Sequence, residues 1–203
     1  MNKLILASSN PGKIREFGDM LAPLGIEIVP QAQLGIADAE EPHDTFIENA
    51  LAKARHATRR SRLPALADDS GICVNALSGE PGVHSARYAI EGSPAISREE
   101  QDRRNNEKLV RLLRGRQDRR AHYYCVIVLM RHYEDPEPQI AEGIWQGQIV
   151  FEPRGENGFG YDPYFFVPEL ERTAAELDPS VKNLISHRGK ALRRLIAQLK
   201  EST

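Results

Sequence analysis

The chain has no long hydrophobic run. Its longest apolar stretch, Cys125 to Met130, is far short of the roughly 20 residues a membrane helix needs, so neither a transmembrane segment nor a membrane partner is expected. The opening residues 1–7 are too short for the apolar region of a secretory signal and run directly into Ser8-Ser9-Asn10-Pro11. They read as a buried first strand, and a cytoplasmic protein is expected. Cysteine is scarce. Cys73 and Cys125 are the only two, which excludes a disulfide framework and a cysteine zinc pattern. Both sit in apolar, strand-like surroundings and read as small buried hydrophobes in a reducing compartment. An excess of one charge is lacking too: 27 Lys and Arg stand against 29 Asp and Glu, a formal net charge of −2. A dedicated nucleic-acid binder usually carries a basic excess, so no nucleic-acid partner is expected, which leaves room for a local basic pocket. Repeats and low-complexity segments are absent. What is left is an ordinary globular composition, 40% apolar and 28% charged over 203 residues. That length suffices for one sizeable core or for two lobes sharing a sheet.

What the chain does have is an alternation of strand and helix signals. Residues 3–7 read as a strand, and Asn10-Pro11 as a helix start with Asn as N-cap and Pro at the first helical position. Ile14, Phe17, Leu21 and Leu24 recur at helical spacing, Gly25 stops that helix, and residues 26–29 form a second strand. This order aims free backbone N–H groups at the loop. After an irregular acidic stretch over 31–44, Thr45 and Glu48 form a capping box, opening a helix with Ile47, Ala50, Leu51 and Ala54 on one face and Lys53 near its edge. A small-residue strand over 65–67 leads into Asp68-Asp69, and another strand follows over 72–77. Residues 79–92 read as a loop. Ser97 with Glu100 opens a charged helix expected to bury Leu109, Leu112 and Leu113 and to stop at Gly115. Residues 123–130 make the best central strand, and residues 139–151 a strand broken by Gly143 and Gly147. A glycine-rich loop covers 153–163, and Asp178-Pro179 restarts helix. Ser186 is a candidate cap for the last helix, whose apolar stripe is Ala191, Leu192, Leu195, Ile196 and Leu199. Trp145 reads as a packing residue; Arg103-Arg104 and Arg119-Arg120 read as solvated charges. No linker divides the chain, so residues 1–203 are expected to form a single α/β domain with a mixed sheet.

Ser8-Ser9-Asn10-Pro11-Gly12-Lys13 places hydroxyls, an amide, a glycine and a lysine between a strand and a helix start. Backbone N–H groups, the helix dipole and a lysine charge together bind phosphate; the same residues also make an ordinary capped turn. This is no Walker A loop, for Ala7 stands where that motif has glycine and Ile14 where it has Ser or Thr. Asp68-Asp69-Ser70-Gly71 follows an apolar strand. Adjacent carboxylates at a strand end point in different directions, so one can bind a metal while the other supports it or takes a proton. Mg²⁺ takes one or two carboxylates together with substrate phosphate and water, but a polar turn with an Asx cap also suits these residues. Glu40 and Glu41 offer a further carboxylate or a solvated acidic loop. In Gly158-Phe159-Gly160-Tyr161-Asp162-Pro163 an aromatic between glycines can stack on a base and the carboxylate can accept from a ring N–H; a tight turn with aromatic anchors is the plainer reading. Ser186-His187-Arg188-Gly189, with Lys182 before it, is a basic cluster able to donate to a base carbonyl, or simply a capped helix start.

Taken together and in order, S-S-N-P-G-K (8–13), T-F-I-E-N-A (45–50), K-A-R (53–55), A-D-D-S-G (67–71), G-x-x-S-A-R-Y (82–88), G-F-G-Y-D-P-x-F (158–165) and K-N-L-I-S-H-R-G (182–189) resemble the inosine triphosphate pyrophosphatase family, in its bacterial XTP/dITP diphosphatase branch. The resemblance runs nearly end to end. It implies an elongated α/β fold whose long mixed sheet and flanking helices form two lobes around a central nucleotide cleft. It also implies a homodimer that uses Mg²⁺ to hydrolyse deaminated purine nucleoside triphosphates (ITP, dITP, XTP) to monophosphate and pyrophosphate.

By position, the resemblance gives Ser8, Ser9, Asn10, Pro11, Gly12 and Lys13 the triphosphate, although Ser9 stands where many members of that family have Gly. Asp69 becomes general base and metal ligand, joined at the metal by Asp68 and by Glu41 or Glu40, with Glu41 favoured. Lys53 supports the phosphates, and Ser70 touches the nucleotide. Phe159, Gly160, Tyr161 and Asp162 stack on and contact the base, while Lys182, His187 and Arg188 close over the purine and read its 6-oxo group. The alternatives are a pyrophosphatase for pyrimidine or other modified nucleotides, and a nucleotide sensor that does not hydrolyse.

Overall fold

Asn10 caps the first helix: its side-chain oxygen accepts from Gly12 N at 2.9 Å and from Lys13 N at 3.4 Å, with Pro11 at the first helical position. This is a computed structural model, and it describes residues 3–89 and 96–201. The end of the loop expected over 79–92 therefore lies outside the described residues from residue 90 onward. In chain order the elements are β1 (Lys3–Leu6), α1 (Pro11–Leu21), β2 (Glu27–Pro30), α2 (Phe46–Ser61), β3 (Ala65–Val74), α3 (Arg98–Leu113), β4 (Arg120–Met130), β5 (Gln139–Ile149), β6 (Phe165–Val167), β7 (Arg172–Thr173), α4 (Pro179–Ile185) and α5 (His187–Glu201), joined in places by short 3-10 turns.

The strands form one mixed seven-stranded sheet in the order β2-β1-β3-β4-β5-β6-β7. β1 is parallel to both β2 and β3, with Leu4 opposite Ile28 and Leu6 opposite Leu66; β5 and β7 each run antiparallel to β6. The chain divides into two compact units, and β3, β4 and β5 contribute residues to both.

The first unit comprises Met1–Asp69, Cys125–Gly143 and His187–Thr203. Its core joins Leu4, Leu6 and Leu66 to Phe17 and Leu21 of α1, Ile127 of β4 and Leu192 and Leu195 of α5. The second comprises Ser70–Tyr124 and Ile144–Ser186. Aromatic rings fill its core: the Tyr123 and Phe165 centroids lie 4.6 Å apart, and Trp145 and Phe165 5.1 Å. Such pairs favour offset or tilted geometry, and Trp145 is buried as a packing residue.

Three expectations need correction. Asp68-Asp69-Ser70-Gly71 is neither a turn nor a strand end, because β3 runs unbroken from Ala65 to Val74. Turn-forming residue types give way here to strand pairing and burial, as β propensity does when neighbours decide. Gly143 and Gly147 do not break β5, which is continuous over Gln139–Ile149. They are needed for close approach: a Cβ on Gly143 would meet His187 O and Ala191 N of α5, and one on Gly147 would meet Phe166 O and the Phe165 ring. Finally, Leu109 and Leu113 of α3 are buried but Leu112 is exposed; it sits too far round the helix to share their stripe.

Candidate active site

Side chains alternate across a strand, so adjacent Asp68 and Asp69 serve opposite faces of β3. Asp68 lies on the face of Leu66, where α1 and α5 pack. Lys13 Nζ reaches its Oδ2 at 3.0 Å, and the Arg188 guanidinium lies 3.4 Å from the same oxygen. Arg188 also pairs with Glu16 of α1 and is 2% exposed. Burial alone raises the pKa of Asp68, but Lys13, Arg188 and Lys53 outweigh it and hold the carboxyl well below the usual range. Lys13 occupies the first turn of α1, where the helix dipole disfavours a cation; Asp68 offsets that cost.

Asp69 faces α2. Lys53 Nζ lies 2.8 Å from Asp69 Oδ1 and 2.7 Å from Glu41 Oε1. Burial lowers the Lys53 pKa, yet the carboxylates of Asp69, Glu41 and Asp68 reverse that and raise it. Asp69 goes the other way from its neighbour: burial pushes it up, Lys53 and Lys13 pull it down, and the net shift is upward. Its Oδ2 is buried and has no hydrogen-bond partner among the described residues. Of the acidic pair before α2, Glu41 is half-buried and on Lys53, whereas Glu40 is exposed.

The 8–13 segment is held by its own side chains. Asn10 N donates to Ser8 Oγ at 3.2 Å, Asn10 Oδ1 takes Gly12 N and Lys13 N, and Ser9 Oγ donates to Asp38. The sequence predicts free backbone N–H groups at this loop; those of Asn10, Gly12 and Lys13 are already capped. Pro11 is exposed and Gly12 buried.

In the second unit, Asp162 Oδ2 accepts from Lys182 Nζ at 2.6 Å and from Phe159 N at 2.9 Å, and Asp162 Oδ1 from the Tyr123 hydroxyl at 3.1 Å. The Tyr161 hydroxyl donates to Ser85 O at 2.8 Å, so this ring is turned into the core. Phe159 is half-buried, with Lys182 Nζ 5.1 Å from its ring centroid, within cation–π range. Gly160 has φ +64°, and its N and O both bond to α3, through Asp102 and Asn106. Ser70 is half-buried on β3 and His187 is buried at the start of α5.

The structure thus brings Lys13, Asp68, Arg188, Asp69, Lys53 and Glu41 together in the first unit, and Phe159, Asp162 and Lys182 in the second. Arg188 sits on two carboxylates in the first unit, and Lys182 on Asp162 in the second. Sequence reasoning missed Glu16, Asp102, Asn106 and Tyr123. The available signals were helical spacings: Glu16 lies at i+3 from Lys13, and Asn106 at i+4 from Asp102. Tyr123 gave no signal beyond its strand propensity.

Among the described residues no group of three or more His, Cys, Asp and Glu is arranged to hold a metal by itself. The Lys53 ammonium nevertheless shows that Asp69 and Glu41 together accommodate one cation, and the unpartnered Asp69 Oδ2 has bonding capacity left. Two carboxylates suit a Mg²⁺ ion that shares its shell with substrate phosphate and water.

A lysine-and-carboxylate centre on the middle of a sheet strand, beside a capped helix start, defines the class as a mixed α/β protein with a charged site for a small molecule. Comparison with known proteins narrows this. A model of the Ham1 family matches residues 4–198. The chain is 61% identical over 202 residues to a dITP/XTP pyrophosphatase of Nitrosomonas europaea, covering 100% of this chain and 96% of that one. It is 60% identical over 200 residues to a dITP/XTP pyrophosphatase of Burkholderia pseudomallei, covering 98% and 94%. A solved HAM1 protein from Coxiella burnetii superposes with a TM-score of 0.87 at 47% identity, covering 99% of this chain and 100% of that one. The chain belongs to the Ham1 family.

Proposed function

We infer that this chain is a nucleoside-triphosphate pyrophosphatase that hydrolyses the deaminated purine nucleotides ITP, dITP and XTP to nucleoside monophosphate and pyrophosphate, removing them from the nucleotide pool. The activity named for relatives of this identity and coverage supports the reading. The single observation in the site that carries it is the Lys53 ammonium shared by Asp69 and Glu41, with Asp69 Oδ2 buried and unpartnered among the described residues. One family match across 4–198 supports treating residues 1–203 as one functional domain.

In this reading Lys13, Lys53 and the 8–13 segment take the triphosphate, with phosphate oxygens replacing Asn10 Oδ1 and Ser8 Oγ as acceptors of the capped N–H groups. Asp69 takes the proton of the attacking water and, with Glu41, holds the Mg²⁺. A bound Mg²⁺ supplies charge neutralisation on the phosphates. Asp68, occupied by Lys13 and Arg188, orients the lysine. Ser70 adjoins the nucleotide. Phe159 stacks on the base, while Lys182, His187 and Arg188 donate to its 6-oxo group, Arg188 exchanging a carboxylate for substrate. Such donors are left unpaired against the 6-amino group of adenine, which discriminates by up to ~10⁴-fold.

No helix among the described residues is long and apolar enough to cross a membrane. We further propose a cytoplasmic homodimer without nucleic-acid partners.

The test is pyrophosphate release from ITP, dITP, XTP, GTP, ATP, dTTP and UTP, with and without Mg²⁺. The expected result is metal-dependent pyrophosphate from the first three and little from the rest. Orthophosphate release, or equal cleavage of ATP and ITP, overturns the assignment. Asp69→Asn should lower kcat by at least ~10²-fold; near-normal turnover removes Asp69 from the role of base.

A further inference from the structure

Phe159 lies on a loop, yet base stacking needs its ring held at one angle. Gly158 and Gly160 flank the ring, both at positive φ, and glycine costs the most backbone entropy to fix. A restraint on this stretch comes from α3. Asp102 Oδ2 accepts from Gly160 N at 3.0 Å, and Asn106 Nδ2 donates to Gly160 O at 2.9 Å and to the main-chain O of Asp102 at 2.8 Å. Both polar groups of one glycine are therefore gripped from a single helix face. Within the loop, Phe159 N donates to Asp162 Oδ2 at 2.9 Å and Phe159 O accepts from Asp162 N at 3.3 Å. Asn106 is 5% exposed, and its Oδ1 has no partner among the described residues, so its bonding is concentrated in the amide nitrogen.

We propose that Asp102 and Asn106 are positioning residues for substrate-base recognition: they clamp Gly160 and so fix the Phe159 ring on which the base stacks. This rests on the assignment of Phe159 to the base in the proposed function. Neither residue touches a reacting atom, so their loss should act on binding of the base and not on the chemical step.

The experiment is steady-state kinetics on ITP with the full chain, using Asn106→Leu, Asp102→Ala, Asp102→Asn, Phe159→Ala and the double variant Asn106→Leu/Phe159→Ala. Asn106→Leu keeps the branched outline of the side chain and removes the donor. It and Asp102→Ala should each raise KM about tenfold, the factor one net hydrogen bond corresponds to, with kcat within about twofold. Asp102→Asn retains an acceptor for Gly160 N and should restore most of the loss. In the Phe159→Ala background, Asn106→Leu should change KM no further, because coupled residues are not additive. Three results overturn the clamp: a fall in kcat at unchanged KM, effects of Asn106→Leu and Phe159→Ala that multiply, or no rescue by Asp102→Asn. If Phe159→Ala itself leaves KM for ITP unchanged, the base-stacking role of Phe159 fails first, and the clamp with it. If Phe159→Ala raises KM and the α3 variants do not, only the clamp fails.

Discussion

Replacing Asp68 by Asn removes one buried charge and keeps the shape of the side chain. In the native protein that carboxylate faces Lys13 Nζ at 3.0 Å and the Arg188 guanidinium at 3.4 Å, and it is 1% exposed. Removing one partner of a buried pair costs about 3–5 kcal/mol, because the charge left behind is desolvated and uncompensated. Arg188 keeps Glu16, whereas Lys13 has no second ion pair among the described residues, so the lower end, about 3 kcal/mol, applies. With a urea m-value of about 2 kcal/mol/M, the unfolding midpoint should fall by about 1.5 M at pH 7, measured in EDTA. The pH dependence gives a second reading. The folded-state pKa of Asp68 is depressed below its ordinary 3.8. The stabilisation is therefore fully present above the unfolded-state pKa and is lost as pH falls through the lower folded-state value. The gap between native protein and variant should stay level from about pH 5 to 8 and close in stronger acid. A loss below about 1 kcal/mol, the scale of an exposed pair, or a gap that widens on acidification, would refute the charge argument.

Two other substitutions probe neighbouring features. Lys53→Met leaves the Asp69 and Glu41 carboxylates without their shared ammonium; thermal unfolding should show a loss of about 3 kcal/mol or more in EDTA, largely recovered on adding Mg²⁺, and absence of that recovery would count against the cation site. Gly143→Ala drives a methyl group into His187 O and Ala191 N, so denaturant unfolding should show a loss of about 1–3 kcal/mol, the cost of overpacking; unchanged stability would mean that α5 moves freely over β5.

The helix starts were legible because a cap is a local device. Asn10-Pro11, Thr45 with Glu48, Ser97 with Glu100 and Asp178-Pro179 each place the oxygen and the N–H it satisfies within a few residues, and all four open helices. The site was legible as a list of residue types but not as a set of pairs. Arg188 lies 120 residues from Asp68 and 172 from Glu16, and no spacing rule links positions so far apart. The strand through Asp68-Asp69-Ser70-Gly71 was hidden for the same reason. Its residues favour a turn when read alone; what overrides them is the place of β3 inside the sheet, between β1 and β4. The α3 clamp sat between these extremes, since Asp102 and Asn106 share a helix face but Gly160, which they hold, lies far along the chain.

Asp68 and Asp69 are chemically identical and adjacent, so composition cannot divide the roles between them; their surroundings can. Three cations act on Asp68 (Lys13, Arg188 and Lys53), and they hold its proton affinity below that of a free carboxylate. A carboxylate so stabilised is a poor proton acceptor, since general-base efficiency follows basicity. Asp69 shares Lys53 with Glu41, whose own negative charge partly cancels the lysine's effect, and burial raises its proton affinity. The stronger base of the two is therefore Asp69, and the weaker, Asp68, is the one that anchors the lysine of the 8–13 segment. Environments that push two neighbouring acids in opposite directions are how a site separates an acid–base role from a purely electrostatic one. A single strand achieves it here by the alternation of its side chains, which sends one carboxylate to α1 and α5 and the next to α2.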